Sequence, residues 1–308
     1  MIVLRTEQNR DVKKRSTAGL QKIMIECVPN FSEGRDPAKI AAIVDAIRSV
    51  PQVAVLGSES DADHHRSVVT FAGEPENVLE AAFRAVGKAA ELIDLRQHAG
   101  VHPRVGATDV LPFVPLHGST MANCVAMAHR AGEQIWQRFG IPVYFYEAAA
   151  RRESRKPLQN TRRTGFDGHP PDVGDIAQHK TAGATMVGAR NFLIAYNINL
   201  STADAAIAKD IARVIRASSG GIPFVKAMGL YLTELDCAQV SMNLTNFAAT
   251  DLDHLYETVQ REAERHGAAI QESELIGFIP QAAFDKAPAF FERTRGFRVT
   301  RVIESHLK

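Results

Sequence analysis

The sequence predicts an α/β protein of the α+β kind, built from two tandem ferredoxin-like βαββαβ subdomains. Three observations predict it. Strand and helix signals alternate along the chain, and the order strand, helix, strand, strand, helix near the start returns in the C-terminal third. A βαββαβ unit folds as one sheet with both helices on one face, so each copy closes its own core. The 308 residues suffice for two such cores at ~100–200 residues per domain. The expected organisation is a disordered extension over 1–23, a first subdomain over 24–183 and a second over 184–308.

The first 23 residues carry Arg5, Arg10, Lys13, Lys14 and Arg15 without an apolar block, so they are not a secretory signal. Met24 directly precedes the first strand-like run, Ile25-Glu26-Cys27-Val28, which also fits a start assigned too early. Asp36 is a plausible N-cap with Pro37 at the first helical position, and Ile40, Ile43, Val44 and Ile47 then fall on one face. Val53–Leu56 and Ser67–Phe71 are strand candidates. After Glu74-Pro75, Leu79, Phe83, Val86, Ala90 and Ile93 repeat the helical spacing. A third helix spans about Ser119 to Phe139 and is closed by Gly140, and Val143–Tyr146 is a further strand.

In the C-terminal third, Phe192–Ile198 is extended. Ile207, Ile211, Val214 and Ile215 then mark a helix opened by Ser201 or Thr202 and followed by Gly220-Gly221. Val225–Leu232 and Cys237–Leu244 are strands; in the second, Val240, Met242 and Leu244 alternate with polar residues, as in a half-buried strand. Thr250-x-x-Asp253 opens a helix carrying Leu252, Leu255, Val259 and Ala263, which Gly267 ends. Leu275–Ile279 is the closing strand.

A weakly periodic segment runs from about Ala148 to Gly183. Its basic residues, Arg151, Arg152, Arg155, Lys156, Arg162 and Arg163, suit either an anionic ligand or a solvated linker, since a loop this long is functional or disordered. From Pro171 to Gly183 a functional role is favoured, because several glycines lead straight into a strand.

Chemistry concentrates in Gly100-Val101-His102-Pro103-Arg104-Val105-Gly106-Ala107. Proline removes a backbone donor and pushes the preceding residue towards extended geometry, so His102 is expected on a rigid, non-helical segment. Histidine titrates near neutral pH, at roughly 6.5, which suits proton transfer; a loop histidine that bonds locally is the plainer alternative. A second polar run, Glu59-Ser60-Asp61-Ala62-Asp63-His64-His65-Arg66, is expected as a strand-end turn. Its ligand types are too consecutive to converge on one ion, so no metal is expected. There is no phosphate loop and no Gly-x-Gly-x-x-Gly.

Composition narrows the partners. A net charge of +1 with interspersed signs gives no nucleic-acid footprint. The longest apolar runs, such as Phe192-Leu193-Ile194-Ala195, are far short of a ~20-residue membrane span. The three isolated cysteines, Cys27, Cys124 and Cys237, point to a reducing, cytoplasmic setting.

Several ordered blocks resemble the glutamate formiminotransferases, folate-dependent enzymes of histidine breakdown, over nearly everything from Ile25 to about Phe284. The blocks are Glu26-Cys-Val-Pro-Asn-Phe-Ser-Glu-Gly34, Arg66-x-Val-x-Thr-Phe-x-Gly73, Leu92-Ile-Asp-x-Arg96, His102-Pro-Arg-x-Gly-Ala107, Gly183-Ala-Thr-x-x-Gly-Ala-Arg190 and Phe192-Leu-Ile-Ala-x-Asn-Ile-Asn199. The resemblance implies two α/β subdomains with a folate tunnel between them and a homodimer formed through the N-terminal subdomain. It places the general base at His102. It places folate contacts on Gly174, Asp175, Ile176, Ala177, Gln178, His179, Lys180, Thr181, Ala182 and Gly183. Asn30, Glu59, Arg66, Arg104 and Arg190 are candidates for the substrate's polar and carboxylate groups, since guanidinium binds carboxylate in bidentate fashion.

The implied reaction moves the formimino group of N-formimino-L-glutamate to N5 of tetrahydrofolate, the co-substrate, with no metal. The chain departs from the family pattern at Val101, where glutamate is common, at Glu59, one methylene longer than the usual aspartate, and at Asp175, where proline is common. Other readings are formyl transfer from N-formylglutamate, a non-catalytic folate-binding protein, and a metal-dependent hydrolase built on Asp61, Asp63, His64 and His65.

Overall fold

The computed structural model describes residues 23–62, 65–98, 104–158, 160–161, 170–175, 179–232 and 235–306. The expected extension, except Ile23, and the candidates His102 and Ile176–Gln178 lie outside these residues.

The first unit runs β1 (Ile25–Cys27), β2 (Asn30–Phe31), α1 (Pro37–Arg48), β3 (Val53–Asp61), β4 (Arg66–Gly73), α2 (Pro75–Leu92) and β5 (Thr108–Pro115). β1 and β2 form one interrupted strand that pairs antiparallel with both β4 and β5, and β3 pairs with β4. The spatial order β5, β1/β2, β4, β3 is that of a ferredoxin-like unit. α3 (Met121–Phe139), β6 (Val143–Glu147) and β7 (Thr185–Ala189) then extend the sheet, with β7 parallel to both β5 and β6. β7 lies beyond residue 183 and yet belongs to the first sheet.

The second unit is β8 (Ile194–Leu200), α4 (Ala205–Ile215), β9 (Val225–Leu232), β10 (Cys237–Leu244), α5 (Leu252–Arg265) and β11 (Ile270–Ile276). Its sheet order, β11-β8-β10-β9, is again the ferredoxin-like one, with every pair antiparallel. The chain closes with α6 (Gln281–Lys286), α7 (Pro288–Glu292) and short 3₁₀ turns, none of which the periodicity predicts.

The helices form where capping and apolar spacing agree. Asp36 accepts from the Ala38 and Lys39 amides at the start of α1, and Ile43, Val44 and Ile47 are buried. Each fully buried side chain of this size is worth about 1.5–3 kcal/mol. One core joins α1, α2 and α3 to the first sheet. A second joins α4 and α5 to the second sheet and also takes in Ala72, Val114 and Leu116 of the first unit. The closing segment completes this junction through Phe278, Ile279, Val302 and Ile303.

Several expectations change. α4 is capped by Asp204, which accepts from Ala206 N, rather than by Ser201 or Thr202, and Val214 is exposed. Asp251 rather than Thr250 caps α5; the Thr250 hydroxyl instead donates to the Asn246 carbonyl. β3 continues through Asp61, because its register with β4 runs to Asp61 opposite Arg66 and a sheet-edge strand tolerates polar residues. The closing strand lies earlier than Leu275–Ile279, since Glu272 and Glu274 on its polar face obscure the alternation. β5 is absent from the sequence reading because Pro112 argues against a central strand. The structure accommodates it: the Pro112 carbonyl accepts from Val28 N, so the missing donor faces the break between β1 and β2.

Candidate active site

The site is built around Val105–Ala107, which directly follows the His102-Pro103-Arg104 motif in sequence and bridges Gly183 through Gly106. On one side, Ser32 N donates to Ala107 O at 2.9 Å and the Ser32 hydroxyl to Gly106 O at 2.7 Å. On the other, Ala107 N donates to Ala182 O and Ala184 N to Val105 O, both at 2.9 Å. A Cβ on Gly106 would lie 1.7 Å from Ala184 O, so only glycine lets the two backbones approach. The end of the glycine-rich segment and the stem of the histidine motif are therefore neighbours.

Within that segment, Gly174 takes φ +93° and packs against Trp136, where a Cβ would meet the ring at 2.5 Å. His179 and Gly183 exchange backbone hydrogen bonds of 3.0 Å. His179 Nδ1 also accepts from Ala182 N at 3.1 Å, so this ring organises the turn. Thr181 O accepts from Leu95 N, tying the turn to the segment that leads into the motif. Asp175 and Lys180 are exposed.

Beside this backbone lies a buried charged pair. Asp109 is completely buried and sits at a bulge, where β5 spends Thr108 to Val110 opposite Asn30 and Phe31 of β2. A bulge re-aims a side chain, and this one brings Asp109 to Arg66. Arg66 Nη1 donates to Asp109 Oδ2 at 2.6 Å and Nε to Asn30 Oδ1 at 3.0 Å. The other Asp109 oxygen accepts from Val105 N at 2.9 Å. Asn30, Arg66 and Asp109 thus fix one another and the first residue after Arg104.

A second cluster joins His65, His98 and Arg104. The His65 and His98 rings stack with centroids 3.8 Å apart. Arg104 Nη1 donates to the His98 ring, 2.8 Å from Nε2, so residues 98 and 104 are in contact across the motif. His65 is in left-handed backbone, φ +49°, and its Nδ1 accepts from Gly34 N at 3.0 Å. Glu33 Oε1 accepts from the Gly34, Arg35 and Asp36 amides at 2.9–3.0 Å and lies 3.4 Å from His65 Nδ1.

Burial and the Arg104 charge push His98 down to about 4, so its ring is neutral near pH 7. Burial also lowers His65, against the pull of Glu33. For Glu33, burial acts upward, yet the Arg35 and Asp36 amides and the nearby cations hold its carboxyl below the usual value. Burial lowers Arg104 as well, opposed by Asp109.

The structure brings together Asn30, Arg66, Arg104 and the 179–183 turn, but not all the candidates. Glu59 is exposed on edge strand β3, in the same row as Val68 and Asn30, about 10 Å from Asn30 at ~4.8 Å per strand. Arg190 N donates to Phe113 O, so it lies four positions along β5 from Asp109, about 13 Å at ~3.3 Å per residue. The basic segment after β6 is partly structural. Arg155 is buried against Asp172 at 2.8 Å and over the Tyr144 ring, and Arg151 donates to Asp172 O. Among the described residues, no group of three His, Cys, Asp or Glu is placed to hold a metal; Asp63 and His64 lie outside them.

Four residues escaped the sequence reading: Ser32, Glu33, His98 and Asp109. Asp109 carried a usable signal, an acid inside an otherwise apolar run. Glu33 stands three residues before the Asp36 cap and takes the amides of residues 34–36, just ahead of those that Asp36 caps.

Comparison with known proteins matches residues 24–190 to the N-terminal subdomain model of the formiminotransferase domain and residues 195–305 to the formiminotransferase domain model. The chain is 42% identical to a glutamate formimidoyltransferase of Thermoplasma acidophilum, over 92% of the chain and 97% of that protein. It is equally similar to one from Streptococcus pyogenes, at 42% over 92% and 98%. A formimidoyltransferase-cyclodeaminase of Sus scrofa is 40% identical over 87% of the chain, which spans 52% of that longer protein.

Proposed function

The chain belongs to the formiminotransferase family, and from that premise we propose that it is a glutamate formimidoyltransferase. It transfers the formimino group of N-formimino-L-glutamate to N5 of tetrahydrofolate, giving 5-formiminotetrahydrofolate and L-glutamate. The observation that carries the reading beyond family membership is the direct backbone pairing of Val105–Ala107 with Ala182–Ala184. It joins the end of the segment proposed to bind folate to the residues that follow the motif proposed to carry the base.

In this reading N5 attacks the formimino carbon, and a tetrahedral adduct forms. His102, whose role rests on the family resemblance, takes the N5 proton as that bond forms and returns it to the glutamate nitrogen as the old bond breaks. Such proton transfer is worth ~10²–10⁴-fold, and holding two substrates side by side supplies much of the rest. Arg104, two residues after His102 in sequence, contacts His98. Arg66, aimed by Asp109 and Asn30, is the candidate for a substrate carboxylate.

Tetrahydrofolate is the second substrate, and the reaction uses no metal. The enzyme is cytoplasmic, acts in histidine degradation and forms a homodimer through the first unit; sedimentation only at the monomer mass would remove the last point. The function is tested by offering the purified protein tetrahydrofolate with formiminoglutamate or with formylglutamate. Turnover of the formimino donor is expected. Exclusive use of the formyl donor changes the substrate, and folate binding without turnover makes the chain a binding protein.

A further inference from the structure

A cavity of about 390 Å³ lies among the helices of the first unit. Its wall comes from α1, α2 and α3 alone, so it shares no residue with the Arg66–Asp109 site or with the second unit. The centre is one stripe of α2, Glu80, Phe83, Arg84, Gly87 and Lys88, at the spacing of a single helix face. Ala46 of α1 and the last two residues of α3, Arg138 and Phe139, flank it.

Small residues and aromatic rings shape the space. Gly87 and Ala46 are the two small residues of the wall, set among long ones. Glycine inside a helix is less favourable than alanine by ~1 kcal/mol. Here it admits the Phe139 ring, which a Cβ on Gly87 would meet at 2.7 Å. Phe139 and Phe83 form a tilted pair with centroids 4.8 Å apart, and both line the cavity. The charges of the wall are unevenly committed. Arg84 donates to Glu80 at 2.7 Å and to the Ser49 hydroxyl at 2.8 Å, so these two opposite charges cancel. Arg138 forms no salt bridge with a described residue, and its guanidinium lies over Phe83, 5.4 Å from the ring centroid. Among the described residues Lys88 pairs with Glu91, which is outside the wall, at 2.6 Å. Such an exposed pair contributes only ~0–1 kcal/mol, so Lys88 can turn to another anion.

Two rings with two available cations beside them match a particular chemistry. A flat ring fits over Gly87 against Phe83 and Phe139, and an anionic group on it is held by Arg138 and Lys88. The volume falls within the ~300–1,000 Å³ of small-molecule sites. We propose that this cavity binds a small aromatic anion, a ring carrying one phosphate, sulfonate or carboxylate group, on the helical side of the first unit. The site does not rest on the transfer reaction above, since none of its residues takes part in it.

The test is calorimetric titration of the full-length protein with 1-naphthyl phosphate, which has both parts, and with inorganic phosphate and 1-naphthol, which have one each. Two variants accompany wild type. Arg138→Glu reverses an exposed charge. Gly87→Ala suits the helix while its methyl displaces the Phe139 ring, so both variants should fold, and their unfolding midpoints verify it. Wild type is expected to bind 1-naphthyl phosphate at least about tenfold more tightly than either part alone, and each substitution to weaken that binding at least about tenfold. Either part binding as tightly as the whole overturns the proposal, because ring and charge then do not act together. So does 1-naphthyl phosphate binding that both substitutions leave unaltered, or no binding of it by wild type.

Discussion

Arg66 and Asp109 lie 2.6 Å apart although 43 residues separate them, and the carboxylate is fully buried while the guanidinium is 13% exposed on its side chain. One strand bulge makes this contact. The same carboxylate accepts from Val105 N, so it connects the proposed substrate cation to the residue following Arg104.

Removing that carboxylate should be costly. Asp109→Ala removes the buried carboxylate paired with Arg66 and leaves Val105 N without its acceptor, a loss on the order of 3–5 kcal/mol. Denaturant unfolding is expected to show that loss, with Asp109→Asn, which keeps an acceptor for Val105 N, clearly milder. Equal stability of Asp109→Ala and wild type would mean the pair contributes nothing.

His98 ties stability to pH. Its folded value, about 4, is below the ordinary histidine value near 6.5, so between these the unfolded chain binds more protons. Stability is therefore fully present above about 6.5 and is lost as pH falls towards about 4. His65, lowered in the same direction, adds to the slope. His98→Phe keeps a ring to stack on His65 and removes the titration, so unfolding free energy measured from pH 7 to 4 should fall less steeply than in wild type. An identical slope would show that other groups set the acid response.

Gly106 should tolerate no side chain. Gly106→Ala places a methyl 1.7 Å from Ala184 O, forcing apart the strands that carry the proposed folate segment and the histidine motif. The variant is expected to lose folate affinity with a lowered melting temperature. Unchanged folate binding would detach that segment from the site.

Arg155 separates a structural cation from a binding one. It is 5% exposed on its side chain and paired with Asp172, so Arg155→Ala should destabilise the fold by roughly 3–5 kcal/mol while leaving the KM for either substrate unchanged in the folded protein. A KM that rises without a stability loss would return it to the ligand.

Much of this architecture is legible because local and tertiary signals agree. Asp36-Pro37 and the spacing of Ile43, Val44 and Ile47 predict α1, and its cap hydrogen bonds and buried face follow. The alternation in Cys237–Leu244 predicts β10 with its inward residues. β5 was illegible because the tolerance for Pro112 comes from a gap in the neighbouring strand, a tertiary fact. At the site, Arg66, Asn30 and Arg104 were readable as residue types with a chemical use. Their partners were less so: Asp109 reaches Arg66 through a bulge, and His65, just before β4, stacks on His98 far along the chain. Arg190 looked equivalent to Arg66 in sequence, and only the strand register separates them.

The most direct measurement is steady-state transfer from formiminoglutamate to tetrahydrofolate by wild type and His102→Ala, with folate affinity measured on both. The account predicts a fall in kcat of at least ~10²-fold with folate affinity and unfolding midpoint retained. Turnover in His102→Ala within a few-fold of wild type would contradict it, leaving the family standing and its proposed base displaced.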